Sequence, residues 1–536
     1  MTVSFLYKAS MAVPSLLLAM SAIAVTPGSD TMATIAHTTS LRQGDVITGA
    51  VPLAQPMHIV VALKMRNRET LDSFIANAAK SPAGGVAQPM SREAFLANHA
   101  PTQSEAQRVA DYLTRSGFRN VEIAPNRLLV SADGNANAAR SAFLTSLVGV
   151  KTREGRMAFA NNDNAHIPQA LKDSVLSVVG LQSVHQLHTF ARQLDPQDTA
   201  AFFGVGHYPN EFSSVYGGTG VPTAAGVSVG IITSGSLTQT IADLNTFTAA
   251  HGFPTVVTQT VDTGGTSTDT SGTGEWDLDS QNIVGMAGGR VGKIIFYNEP
   301  DLTNPGLTAN LNAVVAANAA KIINVSLGEC ELFAQEDGSQ AADDQILATG
   351  VAQGQTFSVS TGDSGADECG DGGTTPSSPA NSPYAMAISG TTLLTSSSSI
   401  WNGERGWSGS GGSASTFEPK PVWQNALVPG TKRVVADVSF DADPHSGAIV
   451  VYFGGLAQFG GTSLSAPIFA GMWARVIAVK GTGVGFAAPL IYALPASDFH
   501  DILIGNNRGS TAQRGYDFMT GRGSMILNTA INHIGH

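Results

Sequence analysis

A chain of 536 residues, 43% hydrophobic and 13% charged, has room for at least two domains and is too apolar to stay disordered. Its net charge of −12 is uneven: residues 1–190 carry 16 Lys and Arg against 12 Asp and Glu (+4), and residues 191–536 carry 13 against 29 (−16). The acidic part has no basic stripe, which excludes nucleic acid as a partner.

Residues 1–24 carry Lys8, an apolar run from Met11 broken by Pro14, and the small-residue end Ala22-Ile23-Ala24. That pattern predicts a secretory signal peptide and an extracellular or periplasmic destination. A polar leader over 25–52 is expected to be flexible. No later run reads as long and apolar enough to cross a bilayer, so no membrane span is expected. In an oxidising compartment Cys330 and Cys369 are expected to form one disulfide closing a loop of about forty residues, the alternative being two buried thiols.

Next, 58–64 reads as a strand and 68–79 as a helix. A Pro/Gly/Ala loop and a helix over 104–117 follow, then strands at 121–123 and 128–130, a helix over 137–147 and a last strand at 148–151. This is the order of a small α/β, ferredoxin-like sandwich, assigned to 53–160, with a connector over 161–200. From Val227 apolar runs at 227–232, 255–261, 293–297, 322–325, 356–360 and 385–388 alternate with helices near 238–250, 274–287, 307–320 and 340–353. Runs apolar on both faces predict a parallel sheet covered by helices on both faces over 201–536, with ligands beyond the carboxyl ends of its strands.

Three segments carry candidate chemistry. Gly460-Gly461-Thr462-Ser463 precedes a buried-helix pattern, so Ser463 is either a helix cap or a nucleophile beside helix N-terminal amides. Val261-Asp262-Thr263-Gly264 imitates the aspartate motif of subtilisins, but no histidine lies between His251 and His445, and a strand-end turn is expected there. Thr273 or Ser271 can cap a helix on which Glu275 and Asp279, at i and i+4, share a face. Exposed, they are an acidic surface; buried together, they share a proton and form a base with its orienting partner. In Gly362-Asp363-Ser364-Gly365, Asp363 is either an Asx turn or a carboxyl that, kept protonated, donates to an oxyanion.

Glu275 and Asp279, then Asp363 in Gly-Asp-Ser-Gly, then Ser463 in Gly-Thr-Ser-Leu-Ser-Ala-Pro resemble, in that order, the sedolisin family of serine-carboxyl peptidases. The N-terminal part, with Glu93-Ala94-Phe95, Asn98-His99-Ala100-Pro101 and Gly117-Phe118, is similar to the pro-kumamolisin-type activation domain of such proteins. The resemblance implies a subtilisin-like fold and a peptide or protein substrate. Ser463 would be nucleophile, Glu275 general base, Asp279 its orienter and Asp363 an oxyanion donor. Ser326, Leu327 and Gly328 would pair with extended substrate. The two cysteines would tie this cleft wall to the Asp363 loop. One Ca²⁺ is implied on the carboxylates of Asp501 and Asp517 and the carbonyls of Ile502, Gln513 and Gly515, where Gln513 replaces an expected glycine. Asp437, Asp441 and Asp443 read as turn and support. The +4 part would dock on the −16 part as an intramolecular inhibitor or chaperone, with acid-triggered self-cleavage in 185–205. The expectation is a monomeric secreted acid endopeptidase made as a zymogen. The alternatives are a tripeptidyl-peptidase of the same family, a subtilisin-type peptidase and a silent binding protein on this scaffold.

Overall fold

The computed structural model describes residues 1, 32–80, 88–195, 206–397 and 399–535. The signal peptide expected at 1–24 lies, Met1 apart, outside the described residues, as does the 196–200 end of the expected connector.

The N-terminal domain is built on β1 (Pro56–Leu63), α1 (Gln103–Arg115), β2 (Arg119–Ile123), β3 (Leu129–Asn135), α2 (Ala136–Phe143) and β4 (Val175–Val179). Thr102 and Glu105 close a capping box that starts α1. The four strands form an antiparallel sheet in the order β2-β3-β1-β4, the ferredoxin-like arrangement expected. Alternation along β1 gives the sheet two buried faces. Ile59, Val61 and Leu63 pack with Val109 and Leu113 of α1 and Ala139 of α2, whereas Val60 and Ala62 belong to the core of the second domain. Gln345 reinforces that junction, accepting from the Met65 N–H at 2.9 Å and donating to the Leu63 carbonyl at 2.7 Å.

Three boundaries differ from the sequence reading. The sheet's fourth strand is β4, so the domain runs past 160 into the expected connector. The strand expected at 148–151 is Leu147–Lys151, which joins a separate sheet with Val46–Ala50 and Met157–Asn161. The leader expected to be flexible is therefore partly paired: Val46–Ala50 there, and Met32–Ala36 against Ala165–Pro168. These pairings join segments about a hundred residues apart, and the strands alternate too weakly to show in a local pattern.

Two short strands, β5 (His188–Thr189) and β6 (Arg192–Gln193), follow before the second domain. Its elements are β7 (Ala224–Ser234), α3 (Thr238–Ala250), β8 (Thr258–Asp262), α4 (Thr273–Met286), β9 (Val291–Glu299), α5 (Asn304–Ala317), β10 (Ile322–Val325), β11 (Leu327–Cys330), α6 (Ser339–Ala352), β12 (Thr356–Ser360), β13 (Met386–Ser397), β14 (Ile400–Gly406), β15 (Val438–Asp441), β16 (Ala448–Tyr452), β17 (Gly455–Gly460) and α7 (Thr462–Lys480). The main sheet has the order β8-β9-β7-β10-β12-β13-β14, with β15 beside β13. All its pairs are parallel except β13 with β14. Helices α4 and α7 pack together over one face, and α5 and α6 cover the other. Helix α7 corrects the expectation about spans: it is long and apolar enough to cross a membrane, but 89% of its apolar window is buried in the core. Asp437, one of the three aspartates read as support, forms a fully buried pair with Arg433 at 2.6 Å. Asp262 ends β8 and accepts from Asn298 at 3.1 Å, in keeping with the strand-end turn expected there.

Candidate active site

Every residue of α4 is buried, so Glu275 and Asp279 leave water together with the helix that carries them. The helix starts after Gly272 with no side-chain cap; Thr273, one of the two residues expected to cap it, donates its hydroxyl to the Thr270 carbonyl at 2.8 Å instead. Across from α4, Gly461 opens α7 at φ 98°, a conformation that favours glycine, and places Thr462 and Ser463 in the first turn, fully buried.

The four candidate residues meet where these helices face the ends of β10 and β12. Ser463 Oγ donates to the Ser326 carbonyl oxygen at 3.3 Å and stands beside Glu275, whose charged form it favours. Ser326 Oγ donates to Asp279 Oδ1 at 2.6 Å, and Asn324 Nδ2 donates to Ser326 Oγ at 2.9 Å. Asp363, just beyond β12, accepts from the Thr462 N–H at 2.8 Å and the Thr462 hydroxyl at 3.0 Å. Glu275 Oε1 and Asp279 Oδ2 are buried without a hydrogen-bond partner, and a proton shared by the pair would supply the donor both lack.

Burial drives the electrostatics. It holds Glu275 well above the usual carboxyl range, and the Asp279 charge adds to that, while the Ser463 hydroxyl and the hydrogen bond from the Ala191 N–H act the other way. Asp279 is raised by burial against hydrogen bonds from Ser326 and Asn324. Burial pushes Asp363 up to about 6, opposed by Thr462 and by the Arg192 cation. Glu368, four residues after Ser364, accepts the Ser364 N–H at 2.7 Å and is pushed up to about 8, first by burial. A hydroxyl beside a proton-sharing carboxyl pair, with a third protonatable carboxyl at the same helix end, can lose a proton, attack a carbonyl and shelter the resulting oxyanion.

The expected substrate strand is already paired. His188 stands opposite Gly328 and Thr189 opposite Leu327 in an antiparallel ladder between β5 and β11. Beyond it, the Ala191 N–H donates to Glu275 Oε2 at 2.7 Å, Arg192 Nε donates to Asp363 Oδ2 at 2.9 Å, and β6 pairs with β17. Sequence reasoning assigned no role to Arg192, Asn324 or Glu368. A lone arginine in a connector carries no local signal, whereas Asn324 lies only two residues before Ser326, the first of the residues expected to pair with substrate. Cys330, at the end of β11, is bonded to Cys369 in the loop after Asp363, so the disulfide joins the cleft wall to that loop.

The residues expected to hold calcium converge on one turn. Asp501 accepts the Gly515 N–H on both oxygens at 3.1 Å, and Asp517 accepts the Gln513 N–H at 3.0 Å. No described residue donates a hydrogen bond to the carbonyls of Ile502, Gln513 or Gly515, so three hard oxygens stay free beside two carboxylates. Gln513 lies outside the left-handed region, so replacing a glycine there costs no backbone strain. An all-oxygen set of this kind fits Ca²⁺. Among the described residues no cluster of three His, Cys, Asp or Glu side chains forms.

The fold and these groups define a subtilase-fold peptidase behind an activation domain, and comparison with known proteins bears this out. Residues 43–184 match the profile described as Pro-kumamolisin, activation domain, and residues 264–484 match the Subtilase family. The chain is 42% identical to Sedolisin of Pseudomonas sp. (strain 101), over 88% of this chain and 86% of that protein. It is 39% identical to Xanthomonalisin of Xanthomonas sp. (strain T-22), over 97% of this chain and 70% of that one. A solved Pseudomonas sedolisin, complexed with two molecules of pseudo-iodotyrostatin, matches 62% of this chain and 100% of its own at 43% identity, with a TM-score of 0.61. The chain belongs to the sedolisin family of serine-carboxyl peptidases.

Proposed function

We propose that the protein is a secreted, acid-acting serine-carboxyl endopeptidase, made as a self-processing zymogen. The observation that carries this reading is the burial of Glu275 and Asp279 as a pair against Ser463. Ser463 Oγ attacks the scissile carbonyl while Glu275 takes its proton and later passes it to the leaving amine; Asp279, held by Ser326, orients Glu275. Asp363 in its protonated form, with the Ser463 backbone N–H, binds the oxyanion. The pair must hold one proton and Asp363 must hold its own, so catalysis belongs on the acid side of about pH 6.

Chain enters the cleft beside β11 and leaves it along β17, and on the β11 side it continues past His188 back to β4. A cleft open at both ends supports endopeptidase action over removal of tripeptides. Calcium, where bound by Asp501, Asp517 and the carbonyls of Ile502, Gln513 and Gly515, would cross-link two loops and take no part in proton transfer. The test is digestion of a peptide library from pH 3 to 7 by wild type and Glu275→Ala. Internal cleavages in acid, lost in the variant, are expected; equal activity in the two, or an optimum above pH 7, would refute the carboxyl-base mechanism.

A further inference from the structure

We propose that Phe190–Ala191 is the peptide bond this enzyme cuts first in its own chain. The inference rests on the peptidase reading above and fixes which bond and which subsites it uses. Register is the first argument. With His188 opposite Gly328 and Thr189 opposite Leu327, the next residue, Phe190, stands at Ser326, whose carbonyl oxygen lies 3.3 Å from Ser463 Oγ. A shift of one residue would turn every side chain of this segment over, so the ladder selects one carbonyl.

The nitrogen side selects the same bond. The Ala191 N–H already donates to Glu275 Oε2 at 2.7 Å, so the leaving nitrogen faces the group that must protonate it. The oxygen side agrees: a Cβ on Gly461 would collide with the Phe190 carbonyl oxygen and lie 2.8 Å from Asp363 Oδ2. The carbonyl therefore enters the corner between Gly461 and the expected oxyanion donor, and glycine at 461 makes that approach possible. Arg192 and Gln193 then pair with Gly460 and Phe459, fixing the chain on the far side of the bond.

The side chain before the bond has its own place. Phe190 is 2% exposed, its ring stands edge-on to His188, and its Cζ lies 3.3 Å from where a Cβ of Gly328 would be. The bare backbone at Gly328 leaves room for a large aromatic or apolar residue on the acyl side of the scissile bond. This assigns that residue class as the preference of the site toward other substrates.

The step balances with water as co-reactant. Ser463 Oγ bonds to the Phe190 carbonyl carbon as its proton moves to Glu275. The carbon–nitrogen bond breaks as Glu275 returns that proton to the Ala191 nitrogen. Water then attacks the Phe190 ester, giving one proton to Glu275, which restores the Ser463 hydroxyl. The products are a chain ending in the Phe190 carboxylate and one beginning with the Ala191 amine.

The experiment acidifies dilute full-length precursor from pH 7.5 to pH 4 and reads the earliest fragments by intact mass and N-terminal sequencing. It is run on wild type, Ser463→Ala and Ala191→Pro, which lacks the N–H facing Glu275. A synthetic peptide of residues 183–195 is added in parallel to matured enzyme. The expected results are a first new N-terminus at Ala191, appearing at a rate independent of protein concentration, no cut in Ser463→Ala, and the same bond cut in the peptide. In Ala191→Pro this cut should slow by at least about tenfold. A Ser463-dependent first cut at any other bond overturns the assignment and leaves the peptidase reading standing, as does peptide hydrolysis without any precursor cleavage. Cleavage persisting in Ser463→Ala, or inactivity toward both precursor and peptide, overturns the peptidase reading itself.

Discussion

Replacing Arg192 with Gln should move self-cleavage to higher pH. In the precursor Asp363 accepts from Arg192 Nε at 2.9 Å and from Thr462 twice, a set of donors that suits a carboxylate and not the protonated acid that the oxyanion requires. The other charged groups around it are Glu275 on α4, Asp367 and Glu368 on its own loop and Arg508 across the cleft mouth. At this separation two unit charges attract by about 1.4 kcal/mol in water and about four times that at an effective dielectric near 20. Arg192 is 52% exposed against 3% for Asp363, which puts the pair toward the weaker limit. About 1.4 kcal/mol is one pH unit. The cation lowers a carboxyl that stands at about 6, so its removal should raise the midpoint of the self-cleavage profile by about one pH unit and speed the reaction at pH 7 roughly fivefold. The assay is the first-order rate of precursor loss from pH 3.5 to 8 for wild type, Arg192→Gln and Arg192→Lys. Lysine keeps the charge and should keep the midpoint, which separates charge from fit in the cleft. A midpoint in Arg192→Gln that stays put or falls would refute the reasoning.

Three further outcomes follow from the same geometry. Asp363→Ala, assayed on a peptide after maturation in trans, should lower kcat by about 10²–10³ and leave KM nearly unchanged, because the lost donor acts on the oxyanion and not on bound substrate. Stability should rise toward acid. Burial raises Asp277 to about 9 and Glu368 and Glu418 to about 8, above their unfolded values, so their contribution is complete below about pH 4 and is lost as pH rises through 8 to 9. Thermal unfolding of Ser463→Ala should therefore show a higher Tm at pH 5 than at pH 9, and an equal or lower Tm would contradict it. A calcium chelator should lower the Tm of Ser463→Ala, and Asp517→Asn should abolish most of that response; a chelator-independent Tm would remove the calcium assignment.

The parts of the fold legible in the sequence are those whose signal is local. The strands β7, β9, β10 and β12 are buried on both faces and read as apolar runs, and α4 showed its two carboxyls at helical spacing. What stayed hidden depends on partners far along the chain. Strand β4 lies about forty residues after β3 and is recognised only by its pairing with β1. Helix α4 looked like an acidic surface because its burial depends on α7, nearly two hundred residues later. The two carboxyls were visible; the environment that makes them a base was not.

The charge asymmetry also takes a narrower meaning. A +4 part facing a −16 part suggested docking by general attraction, released when acid neutralises carboxylates. Between described residues, one ion pair joins the first 195 residues to the peptidase body, and it is Arg192 with Asp363. The rest of the junction is mostly apolar packing of Val60 and Ala62 and neutral hydrogen bonds such as Asn126 to Asn312 at 2.6 Å and Gln345 to Leu63 at 2.7 Å, which acid does not weaken; the hydrogen bonds onto carboxylates, Ser40 to Glu336 at 2.7 Å and Gln182 to Asp337 at 2.9 Å, are the smaller, acid-sensitive part. Protonation should then act at the bond-cutting site before it acts on docking, and the prodomain should stay seated until the connector is cut. Ser463→Ala, which cannot cut, tests that order: at pH 4 its hydrodynamic radius and the hydrogen-exchange protection of β1 and β4 should match those at pH 7. A precursor that opens at pH 4 with its connector intact would mean that acid releases the domain first, and that Asp363 and Arg192 do not time maturation.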